Sequence, residues 1–313
     1  MKSVSWRTVI PALLAIAGLV LVGCGAQDPG QGAQDNGGDD LSGYIDVRGS
    51  DTMVNLGQSW AEAFMDRHGG VQIAVTGGGS GTGIAQLLNN NTHIAQASRP
   101  MKPEEFQEAA QRGVDVHEFI VGQDGVVIAV HRDNPIDRLT VEQLKGIFTG
   151  RITHWSELGW EEGGAISIHS RDASSGTHAF VVETVMDGKD WAEGTRFATG
   201  SAAINEALRT DTAGIGYFGV AYVEGTKALA ISADGGQNYY DPLNEEHVDA
   251  GLYPLARPLF FYTNGAPQGA VLAYLEWVLG DEGQSLLEEI GFFKVNTAQT
   301  EQNEETFKKA GLR

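Results

Sequence analysis

Residues 71–90, VQIAVTGGGSGTGIAQLLNN, read as a short strand, a turn rich in glycine and a helix. The same order recurs on both sides. Upstream, YIDVRGS (44–50) is strand-like and ends in Gly49-Ser50; MVNLGQSWAEAFMDR (53–67) then places Leu56, Trp60 and Phe64 at i, i+4 and i+8, one face of an amphipathic helix. Downstream, HIAQAS (93–98) is a third short strand, and PEEFQEAAQRG (103–113) is a helix with Pro103 near its start and acids in its first turn. HEFIVGQDGVVIAVH (117–131) holds apolar strand material with a Gly-Gln-Asp-Gly interruption. A second unit of the same kind begins near Val126. LTVEQLKGIFTG is helical, AISIHS is a strand, SSGTHAFVVETVM turns into a helix, and IGYFGVAYV and ALAIS supply further strands. PLFFYTN, a helix over AVLAYLEWVLGDEGQSLLEEIG and GFFKV close the chain. This alternation predicts an α/β protein with a mixed or mostly parallel sheet, arranged as two lobes.

The 313 residues carry 21 Lys+Arg against 41 Asp+Glu, a formal charge of −20, and are 42% hydrophobic. That apolar content supports a folded chain of one large domain or two lobes. The acidic excess excludes a general nucleic-acid binder, since nothing would neutralise a phosphate backbone, but leaves room for a small anion held by local dipoles and one or two arginines. The only cysteine is Cys24, so no intrachain disulfide forms. It follows Lys2, Arg7, the apolar run TVIPALLAIAGLVLV (8–22) and Gly23. The run is short for a membrane span and lies where a secretory signal lies. Leu21-Val22-Gly23-Cys24 resembles the lipobox of bacterial lipoproteins, which predicts a signal peptide over 1–23 and a lipid on Cys24. GAQDPGQGAQDNGGDD (25–40) has almost no apolar residue, and residues 24–43 are expected to be a flexible tether.

Three strand-to-helix turns offer hydroxyls and free N–H groups where the helix dipole favours negative charge: Gly49-Ser50-Asp51-Thr52, Gly77-Gly78-Gly79-Ser80-Gly81-Thr82-Gly83, and Arg171-Asp172-Ala173-Ser174-Ser175-Gly176-Thr177. Any one of them is explained by helix capping. Together, with an arginine in the third, they suggest a cradle for an oxyanion. The glycine-rich turn lacks the Lys-Ser/Thr of a P-loop, its glycines are not spaced as G-x-G-x-x-G, and no G-x-S-x-G elbow surrounds Ser80 or Ser175. His169 and His178 read as a strand residue and a first-turn helix residue. Trp155, Trp160 and Phe260-Phe261-Tyr262 read as core.

Taken in order, GSDTM, TGGGSGTGIAQL, IAQASRPM, DGVVIAVHRDNP, LTVEQLKGIFTGRITHW, HSRDASSGTHAF, AGIGYFGVAYV and YPLARPLFFYTN resemble the phosphate-binding proteins of bacterial ABC transporters, over nearly the whole chain from Tyr44. The resemblance implies the type II periplasmic-binding-protein fold, with lobe 1 from 44–122 and 258–313, lobe 2 from 123–257, and crossings near Val121-Gly122-Gln123 and Arg257-Pro258-Leu259. It implies phosphate contacts from Thr52, Ser80, Arg171, Ser175, Gly176 and Thr177, with help from the N–H groups of Met53 and Gly81. One departure stands out: where better-studied members carry an Asp after the third strand to accept the phosphate proton, this chain has Ser98-Arg99. Asp51, Asp124 or Asp172 is then the stand-in acceptor, and Arg99 either adds a cation to the site or forms a salt bridge at the lobe surface. The implied function is binding of inorganic phosphate by lobe closure, without catalysis, metal or cofactor, by a lipid-anchored extracytoplasmic monomer that delivers its ligand to ABC permease subunits. The alternatives are another oxyanion (sulfate, molybdate or tungstate) and a secreted phosphoester hydrolase.

Overall fold

Eleven strands and ten α-helices are built from residues 41–313, the part of the chain that this computed structural model describes. The first half runs β1 (Ser42–Gly49), α1 (Val54–Arg67), β2 (Gly70–Thr76), α2 (Ser80–Leu88), β3 (Ile94–Ala97) and α3 (Pro103–Arg112) into the long β4 (Val116–Val130). Then come β5 (Arg138–Thr140), α4 (Val141–Phe148), β6 (Ser167–Arg171), α5 (Gly176–Thr184), β7 (Arg196–Ala198), α6 (Ser201–Thr210), β8 (Gly214–Gly219), β9 (Lys227–Ala228), β10 (Ala230–Ser232) and α7 (Glu245–Asp249). The chain returns along β11 (Ala256–Asn264) and ends in α8 (Gly269–Leu279), α9 (Asp281–Ile290) and α10 (Thr297–Lys309). The expected signal peptide, Cys24 and residues 24–40 of the expected tether lie outside the described residues.

The main sheet has the order β2-β1-β3-β11-β4-β8-β6-β7, with β9 also on β4. β1 pairs in parallel with β2 and β3, and β6 in parallel with β7 and β8. Antiparallel β11 and β4 stand between these groups. β4 pairs with β11 as far as Gly125 and with β8 from Val126 onward, so one strand serves both halves. Gly-Gln-Asp-Gly therefore does not interrupt the strand, as the sequence suggested, but is its fully buried midpoint. Tight packing explains the composition there. A Cβ on Gly122 would stand 2.4 Å from Leu287 Cδ1, and one on Gly125 2.9 Å from the Pro242 carbonyl.

One apolar set reaches from the first half into the second, where Val127, Ile204, Leu208 and Phe218 join it, and another lies wholly beyond the midpoint of β4. Ile45, Val47, Leu56, Trp60 and Phe64 meet Phe261 and Tyr274, with Trp60 edge-on to Phe261 at 5.7 Å. The periodic face of α1 is thereby buried, at about 1.5–3 kcal/mol for each large side chain. Val126, Ile128 and Val130 pack with Leu144, Phe148, Trp155 and Tyr217 in the other half. Three boundaries differ from the sequence reading. β1 opens at Ser42 rather than Tyr44, because Ser42 and Gly43 pair with Gly70 and Val71. α2 starts at Ser80, so the second half of the glycine-rich turn is already helical. The expected single helix over 270–291 breaks at Gly280, whose extended ψ of 173° turns the chain into α9.

Candidate functional site

The helices after β1, β2 and β6 begin side by side. Asp51–Met53 winds into one 3-10 turn ahead of α1, Ser80 opens α2 and Gly176 opens α5. Thr52 Oγ1 lies 2.8 Å from Thr177 Oγ1, joining residues 125 positions apart. The Gly81 N–H donates to the Ser174 carbonyl at 3.2 Å. Gly79 takes a φ of +91°, and a Cβ there would meet the Ser174 carbonyl at 2.3 Å, so the two turns touch through bare backbone. The first N–H groups of α2 and α5 have no intrahelical acceptor, and the two N-termini abut, a Cβ on Gly176 standing 2.2 Å from Ser80 Oγ.

Thr52, Ser80, Arg171, Ser175 and Thr177 are all buried. Ser80 Oγ accepts from the Ser98 N–H at 3.0 Å, and the Ser98 hydroxyl lies 2.9 Å from that of Ser50 and 3.4 Å from that of Ser80. Ser98 thus brings a hydroxyl into the cluster. Ser175 Oγ accepts from the His178 N–H at 3.2 Å and caps α5. The N–H groups of Met53 and Gly81 are engaged, with the Ser50 and Ser174 carbonyls respectively.

Arg171 is fully buried. Its Nη1 donates to Ser201 Oγ at 3.1 Å, its Nη2 to Asp51 Oδ2 at 3.2 Å, and its Nε has no partner among the described residues. Burial pulls this guanidinium below its ordinary pKa, and Asp51 pulls it back up. An arginine stays charged in a protein, so a buried cation with an unpartnered N–H marks a place where an anion is welcome. Tyr217 accepts from the Arg171 backbone N–H through its hydroxyl, and the Tyr222 hydroxyl donates to the Asp51 and Thr52 carbonyls. Burial raises both phenols to about 12, so they remain neutral donors.

The three carboxylates fare differently. Asp51 bridges the Gly78 N–H (2.7 Å) and Arg171. Asp124 is fully buried: Oδ1 accepts from the Val220 N–H at 2.9 Å, and Oδ2 accepts from Arg257 Nε at 3.0 Å and Nη2 at 2.6 Å. Asp172 turns back on its own loop to the N–H and hydroxyl of Ser174. Burial pushes its pKa up, but those hydrogen bonds outweigh it and hold the group below the ordinary range. Arg99 is buried and makes a two-pronged pair with Glu105, both contacts at 2.7 Å. His178 Nδ1 meets the Arg171 carbonyl at 2.8 Å, and His169 Nε2 meets Asp211 at 2.9 Å, leaving both rings in structural bonds. Sequence reasoning gave no site role to Arg257, Ser50, Ser201 or Tyr222. Arg257 was legible only as part of a crossing strand.

The family model for the PBP superfamily domain matches residues 33–282. The chain is 32% identical over 290 residues to the phosphate-binding protein PstS of Staphylococcus epidermidis, covering 90% of this chain and 86% of that one. It superposes with a TM-score of 0.74, at 27% identity, on a Clostridium perfringens ABC-transporter substrate-binding protein solved with bound phosphate, covering 81% of this chain and 100% of that one. An ABC-type phosphate transport receptor from Vibrio cholerae gives a TM-score of 0.65 at 25% identity, covering 80% and 100%. The two halves sharing β4 and β11 are thus the two lobes of a type II periplasmic-binding-protein fold.

Proposed function

The chain belongs to the PstS-type phosphate-binding proteins of the PBP superfamily, and on that premise we propose that it is an extracytoplasmic solute-binding protein which closes two lobes around inorganic phosphate and delivers it to an ABC permease. Lobe 1 is residues 44–122 and 258–313, lobe 2 is 123–257, and a lipid on Cys24, after removal of 1–23, holds a monomer at the membrane. The observation that carries this reading is the buried Arg171 guanidinium with an unpartnered Nε, bonded to Asp51, the residue before Thr52 of the Thr52–Thr177 hydroxyl pair, where the N-termini of α2 and α5 abut. Such a set offers a guanidinium N–H, hydroxyls able to donate and positive dipole ends, which suits a tetrahedral oxyanion. Contacts from both lobes favour the closed state. No bond is made or broken: the Ser175 hydroxyl caps a helix, and the His178 ring is turned to a carbonyl.

Phosphate carries a proton at neutral pH and sulfate does not, so selectivity needs an acceptor. Asp51 is the candidate bonded to Arg171, with one further bond from the Gly78 N–H. Asp172 keeps a buried Oδ2 with no partner among the described residues but is turned to its own loop, and Asp124 already accepts three bonds from Arg257 and Val220. Ser98, standing after β3 in place of a carboxylate, favours the second reading, an unprotonated oxyanion such as sulfate. Calorimetric titration of the full chain in detergent, stripped of ligand by unfolding and refolding, separates the two. Tight one-to-one phosphate binding with little response to sulfate is expected. Arg171→Ala should weaken it on the order of 100-fold, about two charge-assisted hydrogen bonds at ~1.5 kcal/mol each, and Asp51→Asn should erode the preference over sulfate. Preferential sulfate binding, or near-normal affinity in Arg171→Ala, overturns the reading.

A further inference from the structure

Arg257 is as deeply buried as Arg171. It lies on β11 directly opposite Asp124 on β4, where the two long strands pass between lobes. Nε and Nη2 hold Asp124 Oδ2, Nη2 also donates to Thr177 Oγ1 at 2.9 Å, and Nη1 has no partner among the described residues. The guanidinium lies 5.3 Å from the centroid of the Phe180 ring, and Arg171 is near enough to lower its pKa, though burial is the larger cause. A buried ion pair between crossing strands needs no bond to a threonine of the anion cradle. This one makes that bond.

Resting on the phosphate-binding reading above, we propose that Arg257, held by Asp124, is a positioning residue that commits the Thr177–Thr52 hydroxyl pair to donate to the anion. A guanidinium only donates, so one lone pair of Thr177 Oγ1 is occupied by Nη2. The two hydroxyls, 2.8 Å apart, own two protons, and one of these lies between them. The other points out of the pair, whichever threonine carries it. Donation from a cation at one end polarises the chain toward its free end and makes that last O–H a stronger donor. Asp124 fixes the guanidinium on Thr177 and balances its charge, which lets a second arginine be buried beside Arg171.

The test is a double-mutant cycle on phosphate affinity, using the full chain and titration calorimetry. One arm replaces the pair together, as Asp124→Leu/Arg257→Met, because exchanging both members of a buried pair avoids stranding a charge. The uncharged polar pair Asp124→Asn/Arg257→Gln stands by should the first fail to fold. The other arm is Thr177→Val. Each arm alone is expected to weaken phosphate binding at least tenfold, and the combined variant is expected to be little weaker than Thr177→Val, since the arginine acts through that hydroxyl. A folded pair variant, by thermal melt, that binds phosphate as the unaltered chain does overturns the proposal, as do losses that simply multiply. Absence of phosphate binding in the unaltered chain overturns the functional reading instead, so the two failures are told apart.

Discussion

Gly176 shows how much of the site rests on a missing side chain. A Cβ there would stand 2.2 Å from Ser80 Oγ and 2.9 Å from Ser98 Oγ. Away from these neighbours, alanine in a helix is favoured over glycine by roughly 0.5–1 kcal/mol. Gly176→Ala should therefore lower phosphate affinity at least tenfold, by holding the turns apart, while the melting temperature without phosphate stays level or rises. A parallel fall in both would place the clash in the resting fold rather than in closure. The residue type and its neighbours in sequence announce this position, because Ser-Gly-Thr after a strand is a helix start. Arg99 is the opposite case. Its charge and its place after β3 suit the anion site equally well, and only the approach of Glu105, in the first turn of α3, assigns it to a salt bridge.

Among the elements, α5 carries the most. Its N-terminus supplies Ser175, Gly176 and Thr177, and its first turn ties His178 back to the Arg171 carbonyl. Burial lowers the His178 pKa below its ordinary value, and the bond to Arg171 with the nearby Asp172 only partly offsets that. The unfolded chain takes up this proton near the reference value of about 6.5, whereas the folded chain resists it. The stability contributed is then full above that pH and is lost as pH falls through the folded value. Denaturant midpoints should decline between pH 7 and pH 5, and His178→Phe, which keeps a ring beside Trp191 and Phe197, should start lower at pH 7 but flatten the decline. An unchanged slope in that variant would assign the acid sensitivity to other groups. β4 makes the contrasting point about elements. Its glycines look like a break when read alone, and become continuous strand because β11, α9 and the 242 loop crowd them.

For the whole molecule, the decisive quantity is the formal charge of −20 on a chain proposed to bind an anion. Local donors hold the ligand, but the long-range field opposes its approach. Added salt screens that field over about 10 Å at 0.1 M. Association of phosphate, followed by stopped-flow tryptophan fluorescence, should become faster or stay level as salt rises from low concentration. A steep slowing would mean that a local positive potential steers the ligand. Strand pairing is also a property at this scale, since β11, from late in the chain, pairs with β3 on one side and with β4 on the other, and β4 runs on to β8.

The sequence by itself determined what depends on near neighbours along the chain. It specified the strand–turn–helix units, their apolar faces, the three hydroxyl-bearing turns and Arg171, since periodicity and capping act over a few residues. Tertiary structure alone decided which distant groups complete the site. Arg257 reaches Thr177 across 80 positions and Asp124 across 133, Tyr222 reaches the carbonyls of Asp51 and Thr52, and Asp124 is spent on Arg257 while Asp51 is bonded to Arg171. The physical reason is desolvation. A buried charge must find its partner wherever the fold brings one, and no local pattern records who that partner is.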